Sequence, residues 1–151
     1  VVVQAEAESF DPATDKKKEH RPKPELAALR GRGESILVVD DMPEQRLMAA
    51  SMLKVLGYET LLSSTGERAI EILEKHPVDM VLLDMVLGSG MDGMDIYRKI
   101  SRIHPEQKVI IISGKPRAGR IEKTLALGAL DYIKKPYTLE ALGKTLKSAL
   151  S

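Results

Sequence analysis

Short apolar runs alternate with helical patterns along the chain from residue 35 onward. Most runs are continuously apolar and are bounded by Gly, Pro or polar residues, which is typical of strands buried on both faces. The runs predict five strands, over residues 35–40, 58–62, 78–84, 108–112 and 129–133. The third run is the most informative, because it ends abruptly on a carboxylate, Asp84.

Between the runs, apolar residues recur at intervals of three and four, which predicts amphipathic helices. Thr65 and Thr138 indicate helix starts, since a threonine hydroxyl can accept a hydrogen bond from a free amide of the first turn. The helices are predicted over residues 43–56, 66–76, 94–103, 120–127 and 139–150.

Five successive strand–helix units imply an α/β domain over residues 35–151. Its parallel sheet is expected to be covered by helices on both faces, because right-handed crossovers place helices there. Of the two common doubly wound arrangements, the five-stranded order 2-1-3-4-5 fits five units best. In that order strands one and three are neighbours, so their carboxyl ends lie side by side.

Residues 1–34 differ from the rest, with seven acidic and seven basic residues and little to bury after Val3. We expect them to form a flexible linker or tail. Residues 24–30 could form one or two helical turns, with a proline at the start and Gly31 just past the end. A segment that docks at a specific place is the alternative.

The composition of the chain excludes some classes of function but does not identify its function. The 151 residues include no cysteine, which excludes disulfides and thiolate metal sites and fits a cytoplasmic location. A net charge of +1 gives no indication of a nucleic-acid or membrane partner. No glycine-rich turn follows the first strand, so dinucleotide binding is not predicted. Because the first residue is Val1, the chain is expected to be a piece of a longer protein.

Three aspartates follow the first and third strands: Asp40, Asp41 and Asp84. Carboxylates crowded at one sheet edge repel one another, and a hard divalent cation relieves that repulsion. Mg²⁺ prefers such oxygen ligands. A single aspartate after a strand is equally a turn or cap residue, but the combination favours a magnesium site.

Two further strand ends point to the same edge. The fourth strand is followed by Ser113, and the fifth by Lys134, Lys135 and Pro136. Together with the aspartates they provide a carboxylate nucleophile, metal ligands, a hydroxyl and a cation that can neutralise phosphoryl charge. That set is suited to forming and holding an aspartyl phosphate.

The motifs VVDD, LLD, IIS and KKP, in this order and spacing, closely resemble the receiver domain of two-component response regulators. The resemblance implies a flavodoxin-like (βα)5 fold and a phosphoryl group received from a partner's phosphohistidine. It assigns these roles: Asp84, phosphoacceptor and Mg²⁺ ligand; Asp41, direct Mg²⁺ ligand; Asp40, ligand largely through water; Val86, ligand through its backbone carbonyl; Ser113, switch hydroxyl; Lys135, phosphoryl contact; Tyr132, switch aromatic. It also implies a cis Lys135–Pro136 bond.

The chain departs from the family just after Asp84. The family's proline there is replaced by glycine, and the loop that leads to the Met-Asp-Gly at residues 91–93 is one residue longer. Because glycine widens backbone freedom, we expect a mobile loop beside the acidic cluster.

The resemblance implies a histidine kinase or histidine phosphotransfer domain as partner. It also implies a switch on the face formed by the fourth helix, fifth strand and fifth helix, through which a transient homodimer could form. The expected parent is a hybrid sensor histidine kinase, with a stand-alone regulator as the alternative. Two other functions are weighed: a magnesium-dependent phosphohydrolase, which would need a general acid where Val86 stands, and an interaction module that is never phosphorylated.

Overall fold

The computed structural model describes residues 24–88 and 92–151. Five parallel strands form one sheet in the order β2-β1-β3-β4-β5, which confirms the predicted fold class and strand order. The strands are β1 (Ser35–Val39), β2 (Glu59–Ser63), β3 (Met80–Asp84), β4 (Val109–Ser113) and β5 (Asp131–Lys134). Strands β3 and β4 are buried along their whole length, as continuous apolar runs predict.

Six helices lie in the described ranges: α1 (Pro24–Leu29), α2 (Pro43–Val55), α3 (Gly66–Lys75), α4 (Gly93–Ile103), α5 (Arg120–Ala126) and α6 (Leu139–Leu150). Both predicted threonine caps are present. The Thr65 hydroxyl accepts from the Arg68 amide at the start of α3, and the Thr138 hydroxyl from the Ala141 amide at the start of α6. Each cap satisfies an amide that the helix itself cannot.

The core has one layer on each face of the sheet. On one face the alternate strand residues pack against α3, α4 and α5, around Leu83 and Ile111. On the other face they pack against α2 and α6, around Leu82 and Ile110. This two-sided burial explains why β1, β3 and β4 show no alternation of polar and apolar residues.

Strand β5 differs most from its predicted bounds, because it covers Asp131–Lys134 rather than residues 129–133 and so differs at both ends. Gly128 has a φ of 128° and begins the turn out of α5. The Leu130 amide already donates to the Val109 carbonyl, 2.8 Å away, so the strand's first contact precedes its regular part. The Lys135–Pro136 peptide bond is cis, as expected.

The described end of the predicted linker packs against the domain. Leu26 and Leu29 of α1 contact the core layer beneath α6, and the Arg30 carbonyl accepts from the Lys147 ammonium at 2.9 Å. The Gly31 amide donates to the Leu56 carbonyl at 2.7 Å. The predicted helical turns are therefore present, while residues 1–23 of the predicted linker lie outside the described residues.

Among the helices of the described residues, none combines the length and the apolar character that crossing a membrane requires.

Candidate functional site

Pairing β1 with β3 brings the three aspartates together at the carboxyl edge of the sheet. One carboxylate oxygen from each of Asp40, Asp41 and Asp84 lies within 4.8 Å of the others. Asp40 and Asp84 are 6% and 5% exposed, while Asp41 is partly buried. The neighbourhood predicted from the strand order is thus present, and it concentrates negative charge where water is scarce.

Lys135 is the cation of this cluster. Its ammonium donates to Asp84 Oδ2 at 2.9 Å and to Asp40 Oδ2 at 3.1 Å. It also donates to the side-chain oxygen of Gln45, in the first turn of α2. These three acceptors use all three donors of the ammonium group. Sequence reasoning missed Gln45, because a glutamine in a helix carries no signal for a contact with a residue ninety positions later.

Two of the carboxylates accept from the backbone amide two residues further along the chain. The Val86 amide donates to Asp84 Oδ1 at 3.0 Å, and the Met42 amide to Asp40 Oδ1 at 2.9 Å. The Arg46 guanidinium donates to the Asp40 carbonyl at 2.7 Å, which ties α2 to the end of β1. The acids are therefore fixed in orientation by local turns that the strand ends create.

Burial raises the pKa of Asp84 above its ordinary value of 3.8. The Val86 amide and Lys135 counteract this by lowering the pKa of Asp84, and the charge of Asp40 raises it again. Burial lowers the pKa of Lys135, but the hydrogen bonds and charges of Asp84 and Asp40 outweigh it, so its pKa is raised above 10.5. The lysine is therefore charged at neutral pH. The ionised form of Asp84 is disfavoured by burial.

Asp41 is held differently. Its Oδ2 accepts from the Gly88 amide at 2.8 Å, so the loop after β3 touches this carboxylate directly. The loop after Asp84 is predicted to be mobile, and its residues 89–91 lie outside the described residues.

Ser113 and Tyr132 meet at the segment that follows β4. The Ser113 hydroxyl oxygen accepts from the Lys115 amide at 3.1 Å, and the Tyr132 hydroxyl donates to the Lys115 carbonyl. Ser113 is 1% exposed, whereas Tyr132 is half-buried. Within the described ranges, the Ser113 hydroxyl has no hydrogen bond to Asp84. Both predicted switch residues therefore form a hydrogen bond with the backbone of Lys115.

The chain belongs to the response regulator receiver domain family, whose profile matches residues 36–147. Membership confirms the resemblance to receiver domains that the four motifs indicate. It also gives the chain a phosphoacceptor role in two-component signalling, in a family of signalling domains.

Individual relatives agree with this membership. An NtrX-like response regulator of Rickettsia bellii is 37% identical over 115 residues, which are 76% of this chain and 24% of that protein. The sporulation initiation phosphotransferase F of Bacillus subtilis is 32% identical over 117 residues, 78% of this chain and 94% of that protein. The crystal structure of the NtrX receiver domain from Brucella abortus is 33% identical, with a TM-score of 0.73 over 76% of this chain and 97% of that one.

Proposed function

We propose that Asp84 is the phosphoacceptor of a two-component phosphorelay. A carboxylate oxygen of Asp84 attacks the phosphorus of a partner's phosphohistidine. An O–P bond forms, the P–N bond breaks, and its electron pair leaves with the imidazole. The observation that carries this assignment is the position of an Asp84 carboxylate oxygen within 4.8 Å of oxygens of Asp40 and Asp41, with the Lys135 ammonium 2.9 Å from Asp84 Oδ2.

The donor set fits a magnesium ion. Three carboxylates and one ammonium leave a net negative charge, and hard oxygen ligands in this number suit Mg²⁺. Asp41 and Asp84 would be direct ligands, Asp40 would act largely through water, and the Val86 carbonyl would complete the protein's share. The ion would neutralise charge on the transferred phosphoryl oxygens.

Lys135 and Ser113 are proposed to engage the phosphoryl group of the modified Asp84. Lys135 already lies on Asp84, so its ammonium can pass from carboxylate to phosphoryl oxygen with a small movement. Ser113 would have to exchange its bond with the Lys115 amide for one to the phosphoryl group. Because Tyr132 also holds Lys115, the exchange would reach the face formed by α5, β5 and α6. That face is also the proposed surface of a transient homodimer.

The proposed donor is a histidine kinase or a histidine phosphotransfer domain. Helix α2 exposes apolar side chains beside the acidic edge, with Leu47 59% and Met48 60% accessible. Met48 also lines a cavity of about 460 Å³ with Lys135, Pro136 and Tyr137. An exposed apolar patch next to the reacting group suits a protein donor, since methionines adapt to a partner's shape.

Mass spectrometry after incubation with acetyl phosphate and Mg²⁺ tests the acceptor. We expect one added phosphate on the parent chain, none on Asp84→Asn, and one on Asp131→Asn, whose side chain is an exposed carboxylate on the same sheet. Phosphate uptake by Asp84→Asn would refute the assignment.

The proposed donor surface needs a separate test. Met48→Glu should slow transfer from a phosphorylated histidine phosphotransfer domain by tenfold or more. The same variant should react with acetyl phosphate at the parent rate, because Met48 lies on the exposed surface of α2 and is not a member of the acidic cluster. Equal slowing with both donors would contradict a docking role.

The wider setting is also a proposal. The receiver of a hybrid sensor histidine kinase in the cytoplasm, without direct contact to nucleic acid or membrane, fits the near-neutral charge and the absence of cysteine. A stand-alone regulator is the alternative. The matched region is 24% of one relative and 94% of another, so the relatives include both a much longer protein and one about as long as the domain.

A further inference from the structure

Gly88, four positions after Asp84, stands where the family has proline. The two residues differ in their hydrogen-bonding groups. Proline carries no backbone N–H, whereas glycine does. In this chain that N–H is used, because the Gly88 amide donates to Asp41 Oδ2 at 2.8 Å. The loop after β3 therefore contacts a proposed magnesium ligand through a donor that a proline could not supply.

The orientation of the Asp41 carboxylate depends on this one hydrogen bond more than the orientation of Asp40 or Asp84 depends on any one of theirs. Asp40 and Asp84 each bond to Lys135 and to a local amide. In residues 24–88 and 92–151, the hydrogen bond to Asp41 comes from Gly88. The other two carboxylates would keep their orientation if one bond were lost, while Asp41 would be free to rotate about its side-chain torsions.

Gly88 also has little free space on the side that faces Asp41. A Cβ atom added there would lie 2.7 Å from Asp41 Oδ2, closer than two such atoms can approach. The flexible partner in that overlap is the Asp41 carboxylate, so a side chain at position 88 would displace this carboxylate rather than the backbone. Position 88 thus requires both an N–H and the absence of a side chain.

We propose that Gly88 is a positioning residue for the magnesium site, which holds Asp41 in the orientation that the ion requires. The inference rests on the proposed function, in which Asp41 binds Mg²⁺ directly. A carboxylate has two oxygens with several lone pairs, so Asp41 can accept from Gly88 and bind an ion at the same time. Partners that orient a metal ligand from outside the coordination sphere affect affinity by roughly 10- to 100-fold.

The test compares Gly88→Ala with Gly114→Ala by calorimetric titration with Mg²⁺. Gly114 follows Ser113 at the same sheet edge, and a Cβ there would meet nothing within 4 Å, so it controls for the substitution itself. We expect Gly88→Ala to bind Mg²⁺ about tenfold more weakly, the low end of that range, and Gly114→Ala to bind like the parent. Circular dichroism and urea unfolding verify that both variants are folded.

Amide hydrogen exchange supplies a readout that needs no metal. In the magnesium-free parent the Gly88 amide should exchange slowly, and Asp41→Ala should speed its exchange by removing the acceptor. Equal Mg²⁺ affinity of Gly88→Ala and the parent, or unchanged exchange in Asp41→Ala, would overturn the inference alone. A parent chain that binds no Mg²⁺ would overturn the proposed function and this inference with it.

Discussion

The Lys135 ammonium lies 2.9 Å from Asp84 Oδ2, and this contact joins the residue after the last strand of the sheet to the end of the central strand. The pair is largely buried, with the lysine side chain 20% and the aspartate side chain 7% exposed. A buried pair of this kind costs desolvation, which the geometry recovers only in part. Burial raises the pKa of Asp84 by more than the Val86 amide and Lys135 lower it.

Carbon-detected NMR of the carboxyl groups, without magnesium, should show Asp84 titrating above pH 3.8. Asp40→Asn should lower the pKa of Asp84, because it removes a neighbouring negative charge. Lys135→Met should raise it, because it removes a hydrogen bond and a positive charge. If the two variants moved the midpoint in the same direction, the charges assigned to the cluster would be wrong.

The same pKa shift predicts that Asp84→Asn stabilises the domain at neutral pH. The folded state holds the Asp84 proton more tightly than the unfolded state, so stability falls as the pH rises from 3.8 through the raised pKa. Asparagine carries no charge and escapes this loss. We expect a gain of about 1 kcal/mol in urea unfolding at pH 7, a size ordinary for one substitution. The gain should vanish near pH 3, where the parent's Asp84 is also neutral.

Gly31→Ala should destabilise the domain through the packing of the segment after α1. A Cβ at residue 31 would overlap the ring of Tyr58, a side chain that is 5% exposed and cannot swing into solvent. Overpacking of this kind costs about 1–3 kcal/mol, measurable by urea unfolding. Gly114→Ala is the matched control, since its Cβ would meet open space. Phosphate uptake from acetyl phosphate should be unchanged, because Gly31 lies near the amino ends of the strands and Asp84 lies at a carboxyl end.

Ser113→Ala tests the proposed switch. Beryllofluoride, a phosphoryl mimic, should shift the NMR signal of the Lys115 amide strongly in the parent chain, because Ser113 would release that amide. In Ser113→Ala the amide has no hydroxyl to leave, so the shift should be small even though Asp84 still binds the mimic. A parent-sized shift in the variant would show that Lys115 responds by another route.

The fold and the acidic cluster were predictable because both depend on local patterns. A run such as residues 80–84 identifies a buried strand by itself, and parallel pairing then dictates which strand ends meet. Contacts such as Gln45 with Lys135, or Gly88 with Asp41, join residues far apart in sequence whose types carry no signal for each other. For the same reason, the packing of α1 against the domain is only the alternative to a flexible linker in the prediction from sequence. The segment that follows α1 also needs Gly31 to fit over the ring of Tyr58, which no periodicity encodes.

Strand β1 has a different attachment at each of its ends. Residues 31–34 bond to the backbone of residues 56–59 at its amino end, while Asp40 and Asp41 follow its carboxyl end. Five residues of extended chain separate the two, roughly 17 Å at about 3.3 Å per residue. A reporter protein or surface tether fused ahead of residue 24 would therefore leave the acidic edge open to a large partner, which makes the amino side the practical choice for immobilising this domain.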